Sequence, residues 1–264
     1  MQDNMIGNIL IGDIAPEFSA NTTLGTVKLS DYKGKWLILF SYVKNFSPVC
    51  YTELISFARF NSEFLRRNTY LLGLSNDSIA STLAWNYNIY RSSGIQISFP
   101  IISDTNMDIS KKYGMLSANL STLTRSVYII DPDQRVQVIM HYPDNIGRNI
   151  SEILRLIDAL QTSKKDNVLA PANWILNQPL IKNSPKTYDE LVDSFKNSDG
   201  NYVDWYLCYC QPIQNFPKLD NIDNINNTNN VNNINNIPTN DNTYLNFNNT
   251  FRNLDKNNMN IKKY

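Results

Sequence analysis

Two continuous apolar runs organise the first half of the chain. They lie at residues 36–40 and 70–74, and such runs are typical of strands buried on both faces of a sheet. After the first run, Pro48 suits the first position of a helix, and the predicted buried face of that helix contains Leu54, Phe57, Ala58, Asn61 and Leu65. After the second run, residues 76–78 offer helix caps. This half therefore predicts the order strand, helix, strand, helix.

The second half of the pattern predicts a β-hairpin and a long amphipathic helix. Apolar segments at 126–130 and 136–140 are joined by a short proline-containing turn. Before the hairpin, residues 99–104 predict a short strand and residues 107–113 predict a short helix. After the hairpin, residues 150–161 have the spacing of an amphipathic helix. This order predicts an α/β fold with a mixed central sheet flanked by helices, and a thioredoxin-like fold matches it.

The charge balance argues against recruitment by a general electrostatic field. The chain has 264 residues, with 24 lysines and arginines against 24 aspartates and glutamates. A balanced charge excludes attraction to nucleic acid or to an anionic membrane as the basis of function.

The N-terminus has no basic region before an apolar run, and no stretch reaches membrane-spanning length. We expect a cytoplasmic protein whose partners are recognised at a specific site.

The last part of the chain differs in composition from the rest. Asparagine dominates it, and the apolar residues recur at multiples of three positions, a spacing that fits neither an amphipathic helix nor a half-buried strand. Such asparagine-rich tracts are typically disordered. We therefore predict a disordered tail over residues 218–264.

Cys50 is the main candidate for chemistry. The chain has three cysteines, too few and too unevenly spaced for a secreted disulfide scaffold. Cys50 falls in the first turn of the predicted helix, where free backbone N–H groups and the positive end of the helix dipole favour a thiolate. A thiolate is a nucleophile or a redox centre. On local sequence alone, a buried cysteine that only fills apolar space remains the alternative.

Several motifs along the chain occur together in one known family. They include Phe46-Ser47-Pro48-Val49-Cys50 followed by Thr52-Glu53-Leu54, Gly147-Arg148-Asn149, and Pro171-Ala172-Asn173-Trp174. Further matching pieces lie at 12–18, 20–23, 83–85, 99–102, 114–116, 142–143, 152–155 and 160–161. In these motifs and their order, residues 10–180 resemble the one-cysteine, peroxiredoxin-6-like branch of the peroxiredoxins.

The resemblance implies a role for each of five residues. Cys50 matches the peroxidatic cysteine, whose thiolate attacks a peroxide and becomes a sulfenic acid. Ser47 takes the position whose hydroxyl helps to hold the peroxide. Arg125 matches the arginine that activates the cysteine and stabilises the departing charge, Arg148 a second arginine, and Glu53 the carboxylate that positions arginine. The implied substrates are hydrogen peroxide and small organic hydroperoxides. An external thiol, from the glutathione or thioredoxin system, is the implied reductant, and no cofactor or metal is implied.

The chain also departs from the pattern of this branch. Val43 replaces the proline that normally shields the cysteine, and Tyr42 stands where the branch usually has histidine. Lys44-Asn45 replaces the usual Arg-Asp or Asn-Asp pair. These changes favour the alternative function of a catalytically weakened redox sensor or chaperone-like binding protein. The joint presence of Ser47, Cys50 and Arg125 favours the peroxidase.

Neither a phospholipase A2 activity nor a metal site is expected. The phospholipase A2 activity of some relatives requires a serine, a histidine and an aspartate, and the positions matching that set hold Lys35, Tyr42 and Asp133. Nucleophile and base are missing, so we expect no such activity. His141 is the single histidine, and without neighbouring ligands at suitable spacing it predicts a structural or surface role and no metal site.

The resemblance also implies a domain organisation. A thioredoxin-like domain over residues 1–165 precedes a small C-terminal peroxiredoxin domain over residues 166–217, which in this branch exchanges across a homodimer. Cys208 and Cys210 are unusual in such a domain. They are either incidental, or one of them resolves the Cys50 sulfenic acid across the dimer.

Overall fold

The computed structural model describes residues 9–119, 121–196 and 201–210. Its larger part contains seven strands and four α-helices over the described residues. In chain order these are β1 (Ser19–Thr22), β2 (Gly25–Lys28), β3 (Trp36–Ser41), α1 (Pro48–Arg66), β4 (Thr69–Ser75), α2 (Ile79–Ser93), β5 (Ile101–Ser103), α3 (Asp108–Lys112), β6 (Arg125–Ile130), β7 (Val136–Tyr142) and α4 (Ile150–Asp166). The predicted disordered tail over 218–264 lies outside the described residues.

The seven strands form one mixed sheet, as the sequence pattern predicted. Their order is β2-β1-β5-β4-β3-β6-β7. β3 pairs in parallel with β4 and antiparallel with β6, and β6 and β7 form the predicted antiparallel hairpin. The predicted α/β fold with a mixed central sheet flanked by helices is therefore confirmed.

β3 is apolar along its length because both faces of the sheet are covered. All six of its residues are buried. Ile38 and Phe40 pack in a core cluster with side chains from α1, α2 and α4, whereas Leu37 and Leu39 pack in a second cluster on the opposite face. Alternate side chains of one strand thus anchor two separate cores. The C-terminal end of β3, which leads to Cys50, is fixed from both sides.

The buried face of α1 differs from the prediction near its C-terminal end. Phe64 is fully buried there, whereas Leu65 is 40% exposed. At about 100° per residue, Phe64 lies about 20° and Leu65 about 80° from Phe57 around the helix axis. Leu65 therefore lies at the rim of the buried face, and spacing alone did not separate the two positions.

A buried ion cluster fixes the C-terminal end of α1 against α4. Arg67 Nε donates to Asp158 Oδ1 at 2.6 Å, and Arg67 Nη1 donates to Glu63 Oε2 at 3.0 Å. Both side chains of the first pair are at most 10% exposed, so this pair orients the helix more firmly than a surface ion pair does. The orientation of α1 in turn sets the position of its N-terminus.

A second, smaller sheet follows α4. Its elements are β8 (Val168–Leu169), β9 (Leu180–Lys182), α5 (Tyr188–Lys196), β10 (Asn201–Asp204) and β11 (Leu207–Cys210). The strands pair in the order β10-β11-β9-β8, and Trp174 is buried in a small core beside α4. In contrast, α5 has no buried residue. The predicted domain limits at residues 165 and 217 stay predictions. Among the described residues, no helix is both long and apolar enough to cross a bilayer.

Candidate active site

Cys50 is the third residue of α1, in the first turn. Ser47 is the N-cap residue with extended backbone, and Pro48 takes the first helical position, where its missing N–H leaves no bond unmade. The first N–H groups of a helix have no partner within it, so this turn presents a positive dipole end to the thiol. The sulfur is buried, with Cys50 0% exposed.

Arg125 contacts the sulfur directly. It begins β6, the antiparallel neighbour of β3, and its Nη1 lies 3.1 Å from Cys50 Sγ. The same nitrogen donates to Glu53 Oε2 at 2.7 Å, while Nε and Nη2 both donate to the backbone carbonyl of Asp144, at 3.1 and 2.7 Å. Arg125 is 1% exposed. Its guanidinium is thus held on two sides and aimed at the thiol.

Glu53 links the two buried arginines. It lies three residues after Cys50 on α1, where its side chain is nearly fully buried. Oε1 accepts hydrogen bonds from the backbone N–H and Nε of Arg148, both at 2.8 Å, and Oε2 accepts from Arg148 Nη2 and Arg125 Nη1, both at 2.7 Å. Four donors on one carboxylate fix its orientation.

Arg148 ties this cluster to the sheet. Its Nη1 donates to the carbonyl oxygens of Ser41 and Ser126, at 2.8 and 3.1 Å. Its guanidinium carbon lies 5.2 Å from the ring centre of Phe40 and 5.5 Å from that of Phe57, which is within cation–π range. Arg148 therefore connects β3, β6 and α1 around the thiol.

The buried cluster around Cys50 has a net positive charge. Two guanidinium groups and one carboxylate, with side chains at most 2% exposed, sum to one positive charge. An anion beside Arg125 brings the sum to zero, and a neutral set of charges costs least where water is excluded. The arrangement can therefore hold a nucleophilic sulfur anion beside a hydrogen-bond donor.

Ser47 lies at the same helix end as Cys50, although no described hydrogen bond joins the two side chains. It is half-buried, and its hydroxyl makes no capping hydrogen bond to α1. A serine at this position usually caps the helix. The hydroxyl is therefore left for another partner at the same helix end as the thiol.

Two of the residues that depart from the branch, Tyr42 and Val43, pack in the core cluster that contains Cys50. Val43 is half-buried against the core that contains Cys50. Tyr42 is 0% exposed, its ring centre lies 5.5 Å from that of Trp85, and its hydroxyl donates to Asn45 Oδ1 at 3.0 Å. Burial raises the pKa of Tyr42, so its hydroxyl stays protonated. The site wall is changed in chemistry but remains packed.

Sequence reasoning missed the groups that orient these side chains. The Asp144 carbonyl, which accepts two hydrogen bonds from Arg125, is a backbone atom and leaves no mark in the residue pattern. Asn45 forms hydrogen bonds with both Tyr42 and α2, yet the sequence pattern marks it only as part of an altered pair. Its position between Tyr42 and Ser47, the N-cap residue of α1, is the one signal in the sequence for these bonds.

Cys208 and Cys210 lie in the second sheet, on β11. Neither takes part in a disulfide within the described residues; Cys208 is buried and Cys210 half-buried. Cys210 packs against the small core around Trp174. Both cysteines thus lie on a strand of the second sheet, whereas Cys50 lies on α1.

The residues at the phospholipase positions and the single histidine lie in separate parts of the fold. Lys35 precedes β3 and Tyr42 follows it, so these two positions lie at opposite ends of one strand. Asp133 is exposed, and its hydrogen bond from Lys164 holds its pKa below the usual value. His141 Nδ1 lies 2.9 Å from Ser126 Oγ, and burial lowers the pKa of this histidine. Within the described ranges, no cluster of three metal-ligating side chains occurs.

Comparison with known proteins gives two matching family models. Residues 11–139 match the AhpC/TSA family, and residues 159–198 match the C-terminal domain of 1-Cys peroxiredoxin. The chain is 54% identical over 202 residues to peroxiredoxin 2 of Caldanaerobacter subterraneus, an alignment that covers 75% of this chain and 91% of that protein. A peroxiredoxin of Aquifex aeolicus is 42% identical over 211 residues, which covers 75% of this chain and 95% of that protein.

Solved structures of peroxiredoxins also match this chain. A yeast mitochondrial 1-Cys peroxiredoxin superimposes with a TM-score of 0.70 at 36% identity, covering 77% of this chain and 99% of that chain. Peroxiredoxin 6 of Arenicola marina, solved as a cysteine-to-serine variant, has a TM-score of 0.70 at 30% identity, covering 79% of this chain and 100% of that chain. Each match thus covers more than three quarters of this chain and nearly all of the solved chain.

Proposed function

The chain belongs to the one-cysteine type of the peroxiredoxin family and is a thiol-dependent peroxidase, and from this premise we propose that its reaction occurs at Cys50. The observation that supports this site is the 3.1 Å contact between Arg125 Nη1 and Cys50 Sγ inside a buried, oriented ion cluster. The alternative of a binding protein without turnover is not favoured by these relatives.

The proposed first step is attack of the Cys50 thiolate on one peroxide oxygen. An S–O bond forms, the O–O bond breaks, and the other oxygen leaves as hydroxide or alkoxide and takes up a proton to become water or an alcohol. Arg125 Nη1 stabilises the negative charge that moves from sulfur to the leaving oxygen. Ser47, with its hydroxyl free of a capping bond, holds the peroxide, while Glu53 and Arg148 orient Arg125.

The proposed second step uses an external thiol. That thiol attacks the sulfenic sulfur, water leaves, and a mixed disulfide forms; a second thiol then releases Cys50 as the thiol. The yeast structure describes thiol resolution of that protein through the glutathione and thioredoxin systems, and we propose one of these two systems here. The substrates are hydrogen peroxide and small organic hydroperoxides.

A labelling experiment tests the proposed site. Reduced protein is mixed with an equimolar amount of hydrogen peroxide and a sulfenic-acid-selective dione, then digested and analysed by mass spectrometry. We expect the label on Cys50, because its sulfur lies 3.1 Å from Nη1 of the Arg125 guanidinium. Label on Cys208 or Cys210 with none on Cys50 contradicts the proposal.

The same digest decides between the two roles left open for the C-terminal cysteines. We propose that they are incidental, since Cys208 is only 5% exposed in a sheet of its own. Protein treated with peroxide in the absence of dione is then expected to contain no disulfide from Cys50 to Cys208 or Cys210. If such a disulfide forms at the rate of peroxide consumption, one of them is a resolving cysteine.

We further propose that two copies form a homodimer through the second sheet. Large apolar side chains are exposed there in the single chain, including Tyr188 at 77%, Val203 at 70% and Trp205 at 48%. Exposed apolar area of this kind marks an interaction surface, and a two-fold interface is the commonest way to cover it.

Sedimentation equilibrium tests the dimer. Wild-type protein is expected at twice its 30.3 kDa chain mass. Trp205→Glu is expected to shift it toward the single-chain mass, because a carboxylate is costly in an apolar contact. Leu65→Glu, at an exposed position of α1, is the control and should not change the mass. A single-chain mass for the wild type contradicts the proposal.

A cytoplasmic location and the absence of phospholipase A2 activity remain predictions. The first is supported by the small number and uneven spacing of the three cysteines, which suit a reducing compartment. The second is supported by Lys35 and Tyr42 in place of the required nucleophile and base.

A further inference from the structure

A buried hydrogen-bond network connects the segment before Cys50 to α2, and Asn45 is its centre. Asn45 is 6% exposed. Its Oδ1 accepts from Tyr42, its Nδ2 donates to the hydroxyls of Ser81 and Thr82 at 3.0 and 3.1 Å, and its backbone N–H donates to Asp77 Oδ2 at 2.8 Å. Four hydrogen bonds on one loop residue fix both its side chain and its backbone.

The orientation of the Asn45 amide follows from its neighbours. The Thr82 hydroxyl already donates to the Ser78 carbonyl at 3.1 Å, so it accepts from Asn45 Nδ2. On the other side, the buried phenol of Tyr42 remains protonated because burial raises its pKa, so it donates to Oδ1. The network is therefore satisfied in one arrangement of donors and acceptors.

The backbone directly after Asn45 is strained. Phe46 has a φ of 56°, in the left-handed region that a bulky residue rarely adopts. Its ring is 61% exposed and lies 6.0 Å from the ring centre of Trp85, so close packing of its own side chain does not hold it there. Such a conformation persists where neighbouring contacts enforce it. The Asn45 bonds immediately before it provide that constraint.

The strained residue leads into Ser47. The direction of the chain at Phe46 decides where the Ser47 hydroxyl points and where α1 begins. That hydroxyl makes no capping bond, so the helix does not fix its direction. The loop that carries it is instead held by the bonds from Asn45 to α2 and Tyr42.

We propose that Asn45, together with Tyr42, is a positioning residue for peroxide: it holds the Phe46–Ser47 turn so that the Ser47 hydroxyl meets the oxygen that Cys50 attacks. This role explains why a tyrosine occurs at residue 42 without disrupting the site, since its hydroxyl is used within the network. The inference rests on the proposed reaction at Cys50 and assigns no contact between Asn45 and substrate.

Single-turnover kinetics of reduced protein with hydrogen peroxide tests the role. Asn45→Ala is expected to lower the second-order rate constant about 100-fold and Tyr42→Phe about 10-fold, as misplacement of a substrate-holding group does. The thiolate absorbance of Cys50 should stay at the wild-type value, because Arg125 and Glu53 are unchanged. Tyr42→Phe keeps the ring against Trp85, so this variant remains informative if Asn45→Ala does not fold.

Two controls separate positioning from general loosening. Tyr113→Phe removes a phenol that donates to the Pro16 carbonyl in the second core cluster, and it is expected to react at the wild-type rate. The double variant Asn45→Ala, Ser47→Ala is expected to react at the rate of Ser47→Ala alone, because Asn45 acts through Ser47.

Each remaining outcome overturns the inference. An Asn45→Ala variant that reacts at the wild-type rate refutes it, as does a double variant whose loss is the product of the single losses. A lowered thiolate absorbance in both network variants places the effect on the thiol instead of on Ser47. If wild-type protein is not oxidised at Cys50, the proposed reaction itself fails, which the labelling experiment detects separately.

Discussion

Cys50→Ser is expected to lower the rate of peroxide reduction by roughly 10⁴- to 10⁶-fold, the range found when an enzyme loses its nucleophile. A serine hydroxyl stays protonated near neutral pH and attacks oxygen poorly, whereas a cysteine thiolate is a strong nucleophile. The change replaces sulfur by a smaller atom in a site that is 0% exposed, so the fold is expected to persist. Stopped-flow decay of peroxide in the presence of an external thiol measures the effect.

Matched variants at the other two cysteines complete this test. Cys208→Ser and Cys210→Ser remove one thiol each from the second sheet and are expected to keep the wild-type rate. Circular dichroism and sedimentation of all three variants check that folding and assembly are unchanged. Retention of wild-type turnover by the Cys50 variant contradicts the assignment of the nucleophile.

Arg125→Leu is expected to lower the rate of the oxidation step by about 10²- to 10³-fold, as loss of one donor to a developing negative charge does. The variant removes the donor 3.1 Å from the sulfur, and it also leaves Glu53 and Arg148 as a neutral pair beside the thiol. A thiolate there then adds an unbalanced negative charge, so the thiolate fraction at neutral pH should fall as well. Stopped-flow oxidation and ultraviolet thiolate absorbance measure the two effects.

The fold should tolerate this change because Glu53 keeps three hydrogen bonds from Arg148. Arg125→Lys is expected to recover part of the thiolate fraction but little of the rate, since an ammonium supplies charge without the fixed fork of donors. Arg155→Leu removes a partly exposed arginine that bonds the Trp174 carbonyl and serves as the control. An Arg125→Leu variant as fast as this control contradicts the proposed role of Arg125.

The elements that depend on neighbouring residues in the sequence could be predicted from the pattern of apolar and polar positions. A continuous apolar run, a turn and a proline at a helix start identify β3, α1 and the place of Cys50, because each depends on neighbouring residues. The hairpin of β6 and β7 follows for the same reason. The positions of Phe64 and Leu65 show the limit of this reasoning, since spacing alone did not show that Phe64 lies within the buried face and Leu65 at its rim.

The active-site cluster was not predictable from pattern. Glu53 and Arg148 are 95 positions apart in sequence and Arg125 is 72 positions from Glu53, so no spacing rule connects them. Resemblance to a family named these residues, but it did not show that one carboxylate accepts bonds from both arginines. Backbone groups, such as the carbonyl of Asp144, and the network around Asn45 became visible only in the folded chain.

The buried charges around Cys50 have a further effect once the sulfur is oxidised. A sulfenic acid is neutral, so the Arg125–Glu53–Arg148 set, which contains two cations and one anion, then has a surplus positive charge away from water. That surplus attracts anions. In the proposed reaction, we expect it to draw the thiolate form of the reductant toward the oxidised sulfur, and also to stabilise the sulfinate that a second peroxide produces. Recovery of the enzyme and its irreversible inactivation are then both expected to be promoted by the same electrostatic attraction, and the supply of reductant relative to peroxide is expected to decide between them.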